Sequence, residues 1–125
     1  MLDRLGLDAE LVLSMTVMQG TSWAEPAVED ELNRGINDEI ARWAAAHPTR
    51  MIPSFTLPLQ SEDASGREME RCSDELGMRV IQLPAAVRGT YLSDPSFRWL
   101  WEAIAGRDLP AFIHPDGTPD LWFQQ

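Results

Sequence analysis

The stretch Leu109-Pro110-Ala111-Phe112-Ile113-His114-Pro115 decides the fold. Its apolar residues run without alternation into a histidine, and a proline stops the run. Such a run suits a parallel strand covered on both faces better than a half-exposed one. His114 then stands at the strand's carboxyl end, where α/β folds gather ligands and chemistry. Two readings of His114 are open from these residues: a metal or catalytic ligand, or a histidine closing a core strand with its ring nitrogens bonded to backbone.

Upstream, the chain reads as β-α units leading to that strand. Asp94-Pro95 starts a helix with its cap in place and proline at the first helical position. Phe97, Leu100, Trp101 and Ile104 form its buried stripe, and Gly106 ends it. Met78 to Leu83 reads as a strand, followed by a long loop from Pro84 to Ser93. Ser61 caps a helix over 62–76 whose inward face is Ser65, Met69, Cys72 and Leu76, with Gly77 closing it. Met51 to Leu57 is a strand, although Pro53 lacks a ladder donor.

The clearest helix places Leu32, Ile36, Ile40 and Trp43 at helical spacing, with Ala44 beside them. Acidic residues Glu29 to Glu31 suit its positive start. His47 falls in its last turn as a surface residue, and Pro48 ends it. Ala9 to Val17 is predicted as a strand buried for most of its length. The loop from Met18 to Ala27 follows, and its Trp23 either walls a pocket or pins the loop to the core. Met1 to Leu5 reads as the end of a helix stopped by Gly6.

The resulting order, β-α-β-α-β-α-β, predicts an α/β fold with a parallel sheet and crossover helices. Four such strands make half of a closed (β/α)8 TIM barrel. A small doubly wound sheet is the alternative, but its first strand would lead into a glycine-rich phosphate loop. Here that position holds MQGTSWAEP, residues 18–26, which has no such pattern.

The 125 residues fit one domain, and 44% hydrophobic content with five tryptophans reads as globular. A net charge of −10 argues against nucleic acid or an anionic membrane as partner. The acidic surface reads as a solvated one. Cys72 is the only cysteine, so no internal disulfide or thiolate zinc cluster forms. Between Met69 and Leu76 it reads as a small core residue. No apolar run approaches a membrane span, and no signal peptide opens the chain. The expected location is cytoplasmic.

Four blocks carry a family resemblance: NDEIARWAAAHPTRMIPSFTLPLQ (37–60), ELGMRVIQL (75–83), GTYLSDPSFRWLWEAI (89–104) and LPAFIHP (109–115). In order and spacing they resemble the amidohydrolase-related proteins, which include aminocarboxymuconate-semialdehyde, resorcylate and dihydroxybenzoate decarboxylases. The resemblance implies a distorted (β/α)8 barrel with one divalent metal, usually zinc, at the carboxyl ends of its strands. His114 matches the family's "HP" histidine, a metal ligand after strand five. The family's HxH or ExH pair on the first strand, its aspartate on the last strand and its catalytic histidine after strand six have no counterpart here.

On that resemblance residues 1–125 form a single partial barrel domain, the second to fifth βα units, and Met1 is an internal or misassigned start. The implied function is that of a fragment of a metal-dependent amidohydrolase-superfamily enzyme. It would be a carboxy-lyase or hydrolase of small carboxylated or cyclic substrates, and inactive as this piece alone. Gln82, ending its strand, either projects into the barrel mouth toward substrate or bonds the neighbouring loop backbone. Arg88, in the next loop, either holds a substrate carboxylate by a bidentate pair or faces solvent. Asp116 and Asp120 read as solvated loop carboxylates. A second class of function is a non-catalytic half-barrel module that binds a partner. Ala9–Val17 and Leu109–Ile113 are both predicted to be unprotected edge strands, which invites association, including homo-oligomers.

Overall fold

The computed structural model describes residues 2–14 and 20–114. The end of the predicted first strand, Met15–Val17, lies outside them, as do Asp116, Asp120 and the tail. Helix α1 (Leu2–Leu5) stops at Gly6, whose φ of +66° is the left-handed conformation glycine adopts most easily. Strand β1 is Glu10–Val12, helix α2 Pro26–Ala45 and strand β2 Met51–Phe55. Helix α3 (Glu62–Glu70) continues into a wider π-helical turn over Arg71–Glu75 before strand β3, Val80–Pro84. A short hairpin of β4 (Ala86–Val87) and β5 (Thr90–Tyr91) precedes helix α4 (Arg98–Gly106) and strand β6 (Ala111–His114).

The main sheet has the order β1-β2-β3-β6, all parallel, and it curls into half of a barrel with the helices on its convex side. The alternation of strands and helices is as read from the sequence, and both predicted edge strands are the edges. Pro53 is accommodated because it pairs with Val12 before the β3 ladder begins at Ser54. Phe55, Ile81 and Leu83 face the helices and are fully buried with Met69, Cys72 and Leu100. Ser61 caps α3 by accepting from the Ala64 N–H at 3.2 Å, and Asp94 accepts from Ser96 N–H at 2.9 Å. Trp101 is half-buried with its indole N–H donating to the Leu92 carbonyl at 2.7 Å.

Several expectations are corrected. Strand β6 is not covered on both faces: Phe112 and Ile113, on opposite faces, are 41% and 50% exposed, because β6 is an edge that the described residues cover on neither side. Strand β1 is likewise partly exposed rather than mostly buried. The loop after β3 contains the β4–β5 hairpin. Trp23 does not pin its loop to the core, being 71% exposed. In α2 the buried face is Glu29, Asn33, Asn37, Ile40 and Ala44, while Leu32 and Ile36 are half-buried and Trp43 is out in solvent. His47 lies beyond the last helical turn.

The polar face of α2 is matched by hydrogen bonds. Asn37 accepts from the Thr56 N–H and donates to the Thr56 carbonyl, at 2.8 and 2.9 Å. It also donates at 2.8 Å to Glu68 of α3. Glu68, 1% exposed, accepts two guanidinium N–H bonds from Arg71, at 2.7 and 2.9 Å. Arg71 also reaches Asp38 of α2 at 2.6 Å. Burial opposes the Glu68 charge, but the Arg71 and Asn37 bonds outweigh it and hold the carboxyl below its usual range. Burial in the same place raises the Cys72 thiol, so that cysteine is an inert core residue.

Glu68→Ala should therefore lower the free energy of unfolding by about 3 kcal/mol at neutral pH, read by urea denaturation. Because the folded-state pKa is depressed, the carboxylate's contribution is full above the ordinary value of 4.5 and is lost as pH falls through the folded value. The gap between wild type and variant should narrow below pH 4.5.

Candidate functional site at the carboxyl ends of the strands

Parallel partners share a face, and so do residues two apart along a strand. Gln82 pairs with Phe112 and Pro84 with His114, which sets Gln82, Phe112 and His114 on the concave face. The Phe112 and His114 rings confirm the shared side, with centroids 6.4 Å apart. Ser54 joins them from β2: its hydroxyl lies 3.2 Å from Gln82 Oε1 and donates to the Val12 carbonyl at 2.6 Å.

Gln82 is 1% exposed and completes the ladder beyond the end of β1. Its Oε1 accepts from the Ser14 N–H at 2.9 Å and its Nε2 donates to the Ser14 carbonyl at 3.2 Å. A single carboxamide thus reproduces both bonds that a neighbouring strand would offer Ser14. Gln82 also lines a small pocket at the strand ends, together with Gly20, Thr21, Glu29, Thr56 and Pro84.

Arg88 stands next to that pocket at the tip of the β4–β5 hairpin, where Val87 pairs with Thr90. Arg88 and Gly89 have φ of +49° and +82°, the two positive values that a type I′ hairpin demands. Its Nη1 donates to Gln60 Oε1 at 3.0 Å. His114 is half-buried and bordered in register by Pro84 of the pocket wall. The structure therefore gathers Gln82, Arg88 and His114 at one end of the sheet, around or beside one pocket.

Glu29 reads from the sequence only as an acidic residue at the helix start, yet its carboxylate is 1% exposed in the pocket wall. It accepts from the Gln60 N–H at 3.2 Å, from Gln60 Nε2 at 3.0 Å and from the Thr21 hydroxyl at 3.2 Å. Asn33 supports the same corner, donating to Thr21 Oγ1 and to the Glu29 carbonyl at 2.8 Å each. Burial pushes the Glu29 carboxyl above its usual range, against the pull of the Gln60 and Thr21 bonds and of the Arg88 charge. A sequence signal existed: Glu29, Asn33 and Asn37 recur every four residues, and asparagine is a poor helix former.

Among the described residues no three His, Cys, Asp or Glu side chains lie close enough to hold a metal ion. A catalytic zinc-type centre needs about three protein ligands and an open position. His114 supplies one, so the described residues do not make a metal centre by themselves. Nor is any helix among them long and apolar enough to cross a membrane.

The sequence profile of the amidohydrolases matches residues 4–124. The chain belongs to the amidohydrolase family. Among curated relatives, 2-amino-3-carboxymuconate-6-semialdehyde decarboxylase of Dictyostelium discoideum is 34% identical over 97% of this chain and 35% of its own length. Among solved structures, 5-carboxyvanillate decarboxylase from Sphingomonas paucimobilis superposes with a TM-score of 0.84 at 28% identity, over 99% of this chain and 37% of that one. The dihydroxybenzoic acid decarboxylase of Polaromonas sp. JS666, solved with bound manganese and the inhibitor 2-nitroresorcinol, gives 0.79 at 26% identity over 91% of this chain and 36% of that one. This amidohydrolase chain thus spans about a third of the length of the relatives it matches.

Gln82→Leu should cost about 1 kcal/mol or more of stability, since it removes both hydrogen bonds that the carboxamide makes to the half-buried Ser14 backbone. Native-state hydrogen exchange should locate the loss: the Ser14 amide exchanges much faster, while amides of α4 keep their protection relative to the global unfolding limit.

Proposed function

We propose that this chain is the second to fifth βα units of a metal-dependent amidohydrolase-superfamily decarboxylase acting on small carboxylated aromatic or cyclic substrates. The observation that carries the reading is the placement of His114. It ends β6 on the concave face, beside a strand-end pocket, in a chain that matches decarboxylases over nearly all its length. Active sites of barrel enzymes lie at that end of the sheet. His114 is proposed as one ligand of a divalent metal, the remaining ligands coming from outside this chain. Zinc is the metal that the family resemblance suggests, and manganese the one found in the Polaromonas relative.

Arg88 is proposed to hold a substrate carboxylate by its guanidinium fork. Gln82 is proposed to present its pocket-lining edge to the substrate while its amide keeps Ser14 in place. The cytoplasmic setting belongs to the same proposal. A non-catalytic partner-binding module is not favoured, because the matched relatives are decarboxylases.

The test is metal content and carbon dioxide release from 2,6-dihydroxybenzoate by the full-length enzyme, reconstituted separately with zinc and manganese. His114→Ala should lose metal affinity and turnover by more than the roughly 10–100-fold typical of losing an outer-shell partner. Full metal occupancy and activity in that variant would refute the assignment. The 125-residue chain by itself should associate through β1 and β6, giving a concentration-dependent mass by light scattering. A fixed monomer mass would count against the segment reading.

A further inference from the structure

Glu29 is a buried carboxylate with contacts that converge from the strand-end loops. Thr21 belongs to the loop after β1 and Gln60 to the loop after β2. Gln60 in turn meets Arg88, on the hairpin after β3. One acid therefore links three consecutive loops of the rim where the site is expected.

The polarity of this relay is set by Glu29. Both acceptors facing Gln60 Nε2, Glu29 Oε2 at 3.0 Å and the Ala24 carbonyl at 2.9 Å, require the amide nitrogen there. The Gln60 oxygen is thereby turned outward, where it accepts from Arg88 Nη1 at 3.0 Å. The reversed amide would place its nitrogen against a cation and its oxygen against a carboxylate and a carbonyl.

The backbone adds a second constraint. Arg88 occupies a left-handed position, φ +49°, where asparagine or glycine is the easier residue. A strained residue at a rim points to use of its side chain. Gln60 engages one of five guanidinium N–H donors, and the fork as a whole suits a planar carboxylate.

We propose that Glu29 is a positioning residue: through Gln60 it fixes the Arg88 guanidinium as the docking point for the carboxylate of a small substrate. The proposal rests on the decarboxylase reading and assigns the carboxylate-recognition element within it. The raised affinity of Glu29 for a proton adds a pH signature, because protonation weakens the acceptor that orients Gln60.

The experiment measures KM and kcat of the full-length enzyme on 2,6-dihydroxybenzoate, and inhibition by resorcinol, which lacks the carboxylate. Arg88→Gln should raise KM about tenfold or more, and Glu29→Gln and Gln60→Leu several-fold, with kcat within about twofold. Each double variant with Arg88→Gln should be no worse than Arg88→Gln alone, and resorcinol should inhibit all variants equally. Unchanged KM in Gln60→Leu, additive effects with Arg88→Gln, or equal losses for resorcinol would overturn the inference. If Glu29→Gln does not fold, Gln60→Leu decides the outcome by the same criteria. An inactive wild type would overturn the decarboxylase reading instead. Calorimetric binding of 2,6-dihydroxybenzoate, weakened by Gln60→Leu or not, would then decide the inference separately.

Discussion

The carboxamide of Asn37 is the contact on which the rest of the architecture depends. Strand β2 ends at Phe55, and at Thr56 both backbone groups turn to Asn37 instead of to another strand. A side chain from a helix thus acts as the next rung of the ladder, and it does so in a fully buried place. The same amide reaches Glu68, so α2, the end of β2 and α3 are joined at one point. Apolar contacts alone would let a helix slide or roll on a sheet with little penalty. Directed bonds in a low-dielectric interior do not, because an unmade bond there costs a desolvated donor or acceptor.

Two helical turns earlier on the same face, Glu29 repeats the device with the Gln60 N–H. The spine of α2 therefore fixes how the carboxyl rim is built as well as how the helix sits. Asn33, between them, ties Thr21 to the helix backbone. Thr21 and Gln60 are thereby tied to one helix, which is the kind of support a binding site requires.

The order of elements, the edge strands, the Ser61 and Asp94 caps and the Gly6 and Gly77 stops were legible in the sequence because each depends on local chemistry. The α2 face was not. Leu32, Ile36, Ile40 and Trp43 make a good apolar stripe, yet the helix is rolled so that the polar stripe beside it faces inward. Periodicity counts apolar residues and gives no credit to an asparagine or glutamate that finds partners in distant segments. Thr56, Gln60 and Glu68, up to 31 residues away, provide those partners. The same limit hid the buried place of Glu29, while the placing of Gln82 and His114 at strand ends and of Arg88 in the loop after β3 followed from the order of elements. Exposure of β6 escaped notice for a different reason: an uninterrupted apolar run reports what a strand is suited to pack against, not whether that layer is present.

That mismatch bears on function. Ile52 and Phe112 are exposed on the concave face and Ile113 on the convex one, so the sheet carries apolar surface on both sides and at its edge. The concave surface continues directly into Gln82 and Pro84, which line the strand-end pocket, and into His114 beside them. Closing the barrel would therefore accomplish two things at once. It would bury the apolar face, and it would bring further side chains opposite His114 at a rim where Glu29, Asn33 and Asn37 tie the loops to α2. On the proposed segment reading, stability and the assembly of the site would be coupled, since the contacts that would cover β6 are the ones that would complete the surroundings of His114.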